Sequence, residues 1–227
     1  GQAIVNFLQL AGGETVTAFV AVKESLKSRK KENSQQTEDN FLVMATRSGI
    51  IKKTLVQDFA NMRGSGLIAI KLKKGDELGW ARSTSGQDEI ILVTARGQSI
   101  HFKEKDVRPM GRGAAGVRGI MLKKGDELVS VEIIKAKLRA QNAKMELLVV
   151  MENGFGKKTD IKQFKIQHRG GSGIKAAQLS AKTGKVVMAE ILEPDEEDLI
   201  GISEKGQIIR IPLVSVSLLG RATQGVR

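Results

Sequence analysis

The chain has 227 residues, with 37 Lys+Arg against 25 Asp+Glu, giving a formal net charge of +12. It has no Cys, no Tyr and only two His, His101 and His168, which excludes disulfides, thiolate metal sites and Cys or Tyr nucleophiles, and leaves little for a His-based triad or metal site. No apolar run approaches the roughly 18 residues of a membrane helix, and no signal-peptide pattern opens the chain, so the expectation is a non-enzymatic protein of a soluble, reducing compartment, needing no cofactor, with a polyanion as its partner.

The length allows one large domain or two small ones. In chain order, residues 1–22 (GQAIVNFLQLAGGETVTAFVAV) hold an apolar run, Gly13-Glu14 and a second apolar run, and resemble the second half of a repeat. Residues 23–40 (KESLKSRKKENSQQTEDN) are polar and charged, without Gly or aromatics, and are expected to be a mobile loop. From Phe41 onward four segments align: Phe41–Gly66, Asp88–Gly116, Met145–Gly173 and Glu196–Gly225. Each opens with an apolar run: FLVMAT (41–46), EIILVT (89–94), ELLVVM (146–151) and DLIGIS (198–203). A turn follows, ending at Gly49, Gly97, Gly154 or Gly206; then comes a second strand-like run and a Gly-rich element that ends on the closing Gly.

Past the internal closing glycines, GLIAIKLKKGDEL (66–78), GVRGIMLKKGDEL (116–128) and GIKAAQLSAKTGKVV (173–187) read as a third strand and turn, and LVSVEII (128–134) or VVMAEIL (186–192) as a fourth strand. Four short strands in roughly 50 residues, joined by Gly turns, predict an all-β propeller-like radial array. Full blades are expected at 41–87, 88–134 and 145–192, with partial blades at 1–22 and 195–227. Residues 135–144 (KAKLRAQNAK) form a basic connector with room for one short helix, and EPDEED (193–198) an acidic bridge. Either residues 1–22 close a ring of four with the last blade, or the chain is a piece of a longer array; the second is preferred.

Basic groups recur in register. Four residues past each turn Gly stand Lys53, His101, Lys158 and Arg210. Four before the closing Gly stand Arg112, Arg169 and Arg221, with Arg63 close to that place in the first repeat. Lys52, Lys103, Arg118, Lys157 and Lys175 extend the set. Equivalent sites on equivalent blades share one face, so a basic belt is expected to track a phosphate backbone, with Gly-loop N–H groups as further donors. The plainer reading is a solvated rim that guards strand edges.

Three other patterns fail on context. Gly111-Arg-Gly113-Ala-Ala-Gly116 fits GxGxxG, but a β-run follows where a dinucleotide site needs a helix. Gly154-Phe-Gly156-Lys157-Lys158-Thr159 lacks P-loop spacing, and Arg169-Gly170-Gly171 is a single RGG. Trp80 is expected in the core; with so few aromatics, stacking on single-stranded bases is not expected.

The repeats, together with Gln167-His-Arg-Gly-Gly-Ser-Gly173 and Gly220-Arg-Ala-Thr-Gln-Gly-Val226, resemble the C-terminal domain of the DNA gyrase A subunit, from the bacterial type IIA topoisomerase A-type subunits. The resemblance covers nearly the whole chain. It implies a β-pinwheel with a basic outer rim, a non-catalytic accessory to an ATP-dependent topoisomerase. Duplex DNA would bend or wrap around the rim with weak sequence preference and present a segment to the catalytic core for supercoiling. Implied partners are the gyrase B subunit together with the rest of the gyrase A subunit, with no membrane, in the bacterial cytoplasm at the nucleoid. The family's wrapping motif is Q-[K/R]-R-G-G-[K/R]-G, normally on the first blade. Here Gln167, Arg169, Gly170, Gly171 and Gly173 match, His168 and Ser172 replace the basic pair, and the match sits on the third full repeat. The resemblance thus implies a box upstream of this chain and weakened wrapping. The alternatives are a topoisomerase IV A-type C-terminal domain, which binds DNA without strong wrapping, and a propeller-like scaffold for protein partners.

Overall fold

Hairpins of apolar strands closed by glycine turns make up most of the regular structure. The computed structural model describes residues 12–21, 40–61, 66–194 and 196–227; apart from Asn40, the loop expected at 23–40 lies outside the described residues, as does Arg63.

The first blade comprises β1 (Phe41–Thr46), β2 (Ile50–Leu55) and β3 (Leu78–Thr84). The second has β4 (Glu89–Thr94) and β5 (Gln98–Lys103), then β6 (Val117–Arg118) and β7 (Leu128–Ile134). The connector carries a single-turn helix, α1 (Ala136–Ala140). The third blade follows with β8 (Glu146–Met151), β9 (Gly156–Asp160), β10 (Ile174–Lys175) and β11 (Val186–Leu192), and the hairpin β12 (Asp198–Ile202) and β13 (Ile208–Pro212) is last. A short 3-10 turn follows the second strand of every hairpin.

The sheets do not coincide with the repeats. Their orders are β3-β1-β2-β6, β10-β5-β4-β7, β11-β8-β9 and β12-β13. In the first two, the outer strand is lent by the following repeat: Val117 pairs with Ile51, and Ile174 with Ser99. Val226 makes the same antiparallel bridge to Gly156 in the third. The closing glycine marks each crossing. Gly173, at φ +70°, passes so close to β5 that a Cβ there would stand 2.2 Å from the Ser99 carbonyl oxygen. At Gly116 and Gly225 the corresponding distances, to Ile51 O and Gly156 O, are both 2.7 Å.

These outer strands are only two residues long, and no strand is assigned at 66–73, where a full third strand was expected. After two paired residues the chain leaves the neighbouring sheet to form the next turn. Residues 14–21 likewise have no assigned strand; Ala18 and Val20 pack beside Met44, Ile70 and Ala81.

Burial explains the unbroken apolar runs, since a strand covered on both faces has no solvent side to mark with polar residues. Val43 and Ala45 turn toward the second blade, packing with Ile90, Leu92, Ile100 and Phe102. Ile91 and Val93 turn the other way, into a core with Leu147, Val149 and Met151. Trp80 packs on the edge of the first of these cores. The last hairpin is covered on one face only, by Leu148 and Leu192 against Leu199 and Leu213. Ile200, Ile202 and Ile208 stay exposed.

Candidate nucleic-acid interface

The basic group four residues past each turn glycine lies on the second strand of its hairpin, paired in register two residues beyond the start of the first strand. It therefore lies diagonal to that first residue: Lys53 to Phe41, His101 to Glu89, Lys158 to Glu146 and Arg210 to Asp198. Such diagonal neighbours are within reach of long side chains.

Each of these side chains is held there. Lys53 is buried, 3.3 Å from the fully buried Glu104 carboxylate and 4.8 Å above the Phe41 ring. His101 is buried with Nε2 2.9 Å from Glu89 and Nδ1 2.8 Å from the Phe164 carbonyl. Lys158 pairs with Glu146 at 3.2 Å. Burial opposes ionisation of Glu146, but hydrogen bonds from Lys144 and Lys158 outweigh it and hold the carboxyl below its usual range. Arg210 is exposed, yet its guanidinium is committed to Asp198.

The phosphate-facing role expected of this position is corrected for Lys53 and His101, which do not reach solvent, and for Lys158, which is largely covered. With neighbouring blades on both faces, a cation on a central strand is buried and must carry its own counter-charge or acceptors.

Lys52 and Lys157 are corrected in the same way, being fully buried. Their amines fasten the Gly-rich loop of the next repeat, and Lys52 also holds the stretch after Gly66. Lys52 Nζ donates to Ala69 O and Arg112 O. Lys157 Nζ donates to Gly220 O at 2.8 Å, Arg221 O at 2.7 Å and Thr223 Oγ1 at 3.2 Å. Burial, with the nearby Arg221 charge, pushes the Lys157 amine down to about 8; burial also lowers Lys52, partly offset by Asp58.

The arginines before the closing glycines are half-buried, and two of them act as latches. Arg169 Nε donates to Asp106 O at 2.8 Å and Nη1 to Arg118 O at 3.0 Å. Arg221 Nη1 donates to Lys175 O at 3.0 Å, the equivalent carbonyl one blade on. Gly170 N–H, expected to be open to a phosphate, donates to Gly119 O, while Gly171 O accepts from Met121 N–H. Gln167 N–H donates to His101 O. Gly173 serves the strand crossing.

Lys103, Arg118, His168 and Lys175 remain on the surface; Lys175 is 2.6 Å from Gln178 Oε1. They are joined by Lys105, Arg108, Lys162 and Lys165, all exposed, which were not among the cations expected to face phosphate. The signal was present: they stand eight and eleven residues past Gly97 and Gly154, on the turns after β5 and β9. The first and last repeats have Gln57 and Ala60, and Val214 and Ser217, at those places, so basic character peaks mid-array.

Lys105 and Arg108 of the second blade face His168 and Arg169 of the next repeat across a groove of about 780 Å³, with Met110 and Val117 in its lining. Asp106, 3.8 Å from the fully exposed His168, is the acidic member. Exposed Lys105 and Arg108 on one wall, with exposed His168 and half-buried Arg169 on the other, suit a polyanionic chain lying across the blade junction. Among the described residues, no group of three or more His, Asp or Glu is placed to hold a metal ion, and no helix is long and apolar enough to cross a membrane.

The family described as DNA gyrase C-terminal domain, beta-propeller, matches residues 40–85, 88–135, 146–192 and 197–227. The DNA gyrase A subunit of Staphylococcus aureus (strain NCTC 8325 / PS 47) is 39% identical over 227 residues, which is 100% of this chain but 24% of that protein. The chain thus spans about a quarter of the length of such curated relatives. Among solved structures, the C-terminal domain of DNA topoisomerase IV superimposes with a TM-score of 0.84 at 26% identity, over 99% of this chain and 65% of that one. The DNA gyrase A C-terminal domain gives 0.71 at 30% identity, over 86% of this chain and 63% of that one.

Proposed function

This chain belongs to the DNA gyrase C-terminal domain family, and from that membership we propose that it is a non-catalytic module that binds duplex DNA by its phosphate backbone and bends it along a basic rim. The observation that carries the reading is the groove where Lys105 and Arg108 face His168 and Arg169, with Lys103, Arg118, Lys162 and Lys165 also exposed on the same two repeats. Each phosphate neutralised there releases condensed counterions, so log K falls by about 0.9 per contact for each unit of log salt. Contacts of this kind position a duplex without reading its bases, so sequence preference is weak. Bending 20–30 bp by 40–90° costs on the order of 1–6 kcal/mol, and only cations on successive blades offset that.

In this reading the module acts in the bacterial cytoplasm, at the nucleoid. It is joined to the rest of a gyrase-type A subunit, works with the B subunit, and presents a bent DNA segment to their catalytic core. A second reading, a topoisomerase IV-type domain that binds without strong wrapping, is favoured by the higher TM-score of that structure and by the loop at 167–173. That loop has Ser172 where a basic residue would add charge, and its Arg169 is tied to two carbonyls.

Ligation of nicked plasmid circles at graded protein ratio and salt separates the readings. A salt-sensitive positive linking-number shift supports wrapping by this chain. Gel retardation without a shift supports the topoisomerase IV-type reading. The absence of both retardation and shift would refute DNA binding by this chain.

A further inference from the structure

The last strands of the first three blades, β3, β7 and β11, come together at the edges of their sheets. Their contact carries charge that the rim does not use. Arg82, Glu132 and Glu190 occupy equivalent positions, directly across from Val43, Ile91 and Leu148. The Glu132 side chain is only 16% exposed, with Oε1 4.0 Å from the Arg82 guanidinium. Glu190 of β11 faces it with like charge, while the Ile191 N–H donates to the Glu132 carboxyl. Ile91, opposite on β4, brings no charge. Lys135, just past the end of β7, pairs with Asp88 and donates to Ser83 O.

Ser130 makes the arrangement depend on a proton. Its Oγ is 2.8 Å from Glu132 Oε1 and 2.5 Å from the Ala189 carbonyl oxygen on β11. A serine hydroxyl has one proton, and a carboxylate and a carbonyl only accept. With Glu132 ionised, one of these short oxygen–oxygen contacts has no hydrogen in it. With Glu132 protonated, its O–H donates to Ser130 Oγ, Ser130 donates to Ala189 O, and both contacts are hydrogen bonds.

We propose that Glu132, Ser130 and the Ala189 carbonyl form a proton-dependent clasp between the second and third blades, which opens when Glu132 loses its proton and turns to Arg82 of the first. The clasp thereby sets how firmly the two blades flanking the basic groove are held. Burial pushes the Glu132 carboxyl up to about 7, so the clasp operates near neutral pH.

Carboxyl-carbon NMR of the whole chain, titrated from pH 4 to 9, reads the proton directly. A Glu132 midpoint within about one unit of 7 is expected, and a midpoint below 5 overturns the clasp. Hydrogen exchange at Ser130–Ile134 and Val186–Leu192 reads its effect. Protection is expected to fall about tenfold between pH 6 and 8, after correction for intrinsic exchange. Glu132→Gln keeps an N–H donor for Ser130 but cannot titrate, and should flatten that change. Ser130→Ala should lower protection at pH 6. A pH response in Glu132→Gln equal to that of the unaltered chain overturns the proposal. If that variant does not fold, the carboxyl titration decides alone.

Discussion

Replacing Gly173 by alanine tests the strand crossing that joins one blade to the next. Two costs add. A side chain at φ +70° is disfavoured by about 1–2 kcal/mol. The new Cβ, 2.2 Å from Ser99 O, must also recede by about 0.8 Å to reach even the 3.0 Å limit of real contacts. The obstacle is the backbone of β5, where Ser99, Ile100, His101 and Phe102 are all buried, so β10 must lift from β5; overpacking of this kind costs about 1–3 kcal/mol. The sum is about 3 kcal/mol, or roughly 6–12 °C in melting temperature for a chain of this size. Gly154→Ala is the internal control, since Gly154 has φ +78° but nothing within 4 Å of its Cβ. It should lose only the conformational part, about 1 kcal/mol. Urea unfolding of both variants separates the terms. Equal destabilisation would refute the close approach as the reason for glycine at the crossing.

Lys53→Met leaves the buried Glu104 carboxylate without its cation and should cost about 3–5 kcal/mol in urea unfolding, whereas Lys103→Met, exposed at the end of β5, should stay within about 0.5 kcal/mol; similar losses would count against the buried pair. The double variant Lys105→Ala/Arg108→Ala should keep its stability but reduce the salt slope of duplex binding by about 1.8, and an unchanged slope would remove the groove from the DNA path. The raised Glu132 pKa has a definite sign: the folded chain holds a proton that the unfolded chain loses, so this contribution is full below about 4.5, declines as pH rises to about 7, and is level beyond. The stability difference between the unaltered chain and Glu132→Gln should therefore shift by about 3 kcal/mol across that window. Glu146, held below its usual range, contributes in the opposite sense, its stabilisation being lost as pH falls through the ordinary carboxylate range; comparison with Glu132→Gln removes it.

The hairpins were legible because each apolar run is punctuated by a turn glycine, and the closing glycines betrayed the repeat. His101 with Glu89, and Arg210 with Asp198, stand twelve residues apart, but only the basic member of each pair was picked out from the sequence. The charges were misread because a basic residue in a strand ordinarily marks the solvent face. Stacked blades leave no such face, so Lys52, Lys53 and Lys157 are sealed among carbonyls or against Glu104. The lysines at 162 and 165 were overlooked for the opposite reason: they sit on turns, where charge is common and periodicity weak. Nor does a linear pattern announce that Val117 belongs to the first sheet and Ile174 to the second, because that depends on where the chain crosses after the glycine.

The lent outer strand also decides what a unit of this array is. The stretch from Val117 to Gly173 contributes β6 to the first sheet, β7 to the second, and β8 and β9 to the third. No contiguous cut releases one intact blade. Excising a sheet's core strands removes the dock on which the next repeat leans, while excising from glycine to glycine keeps donor and acceptor in phase and lets the splice heal. Growth or shrinkage of the array by duplication is viable in that second frame alone. For the same reason the blades should melt together, unlike solenoid modules that touch neighbours only through side chains and fray from their ends.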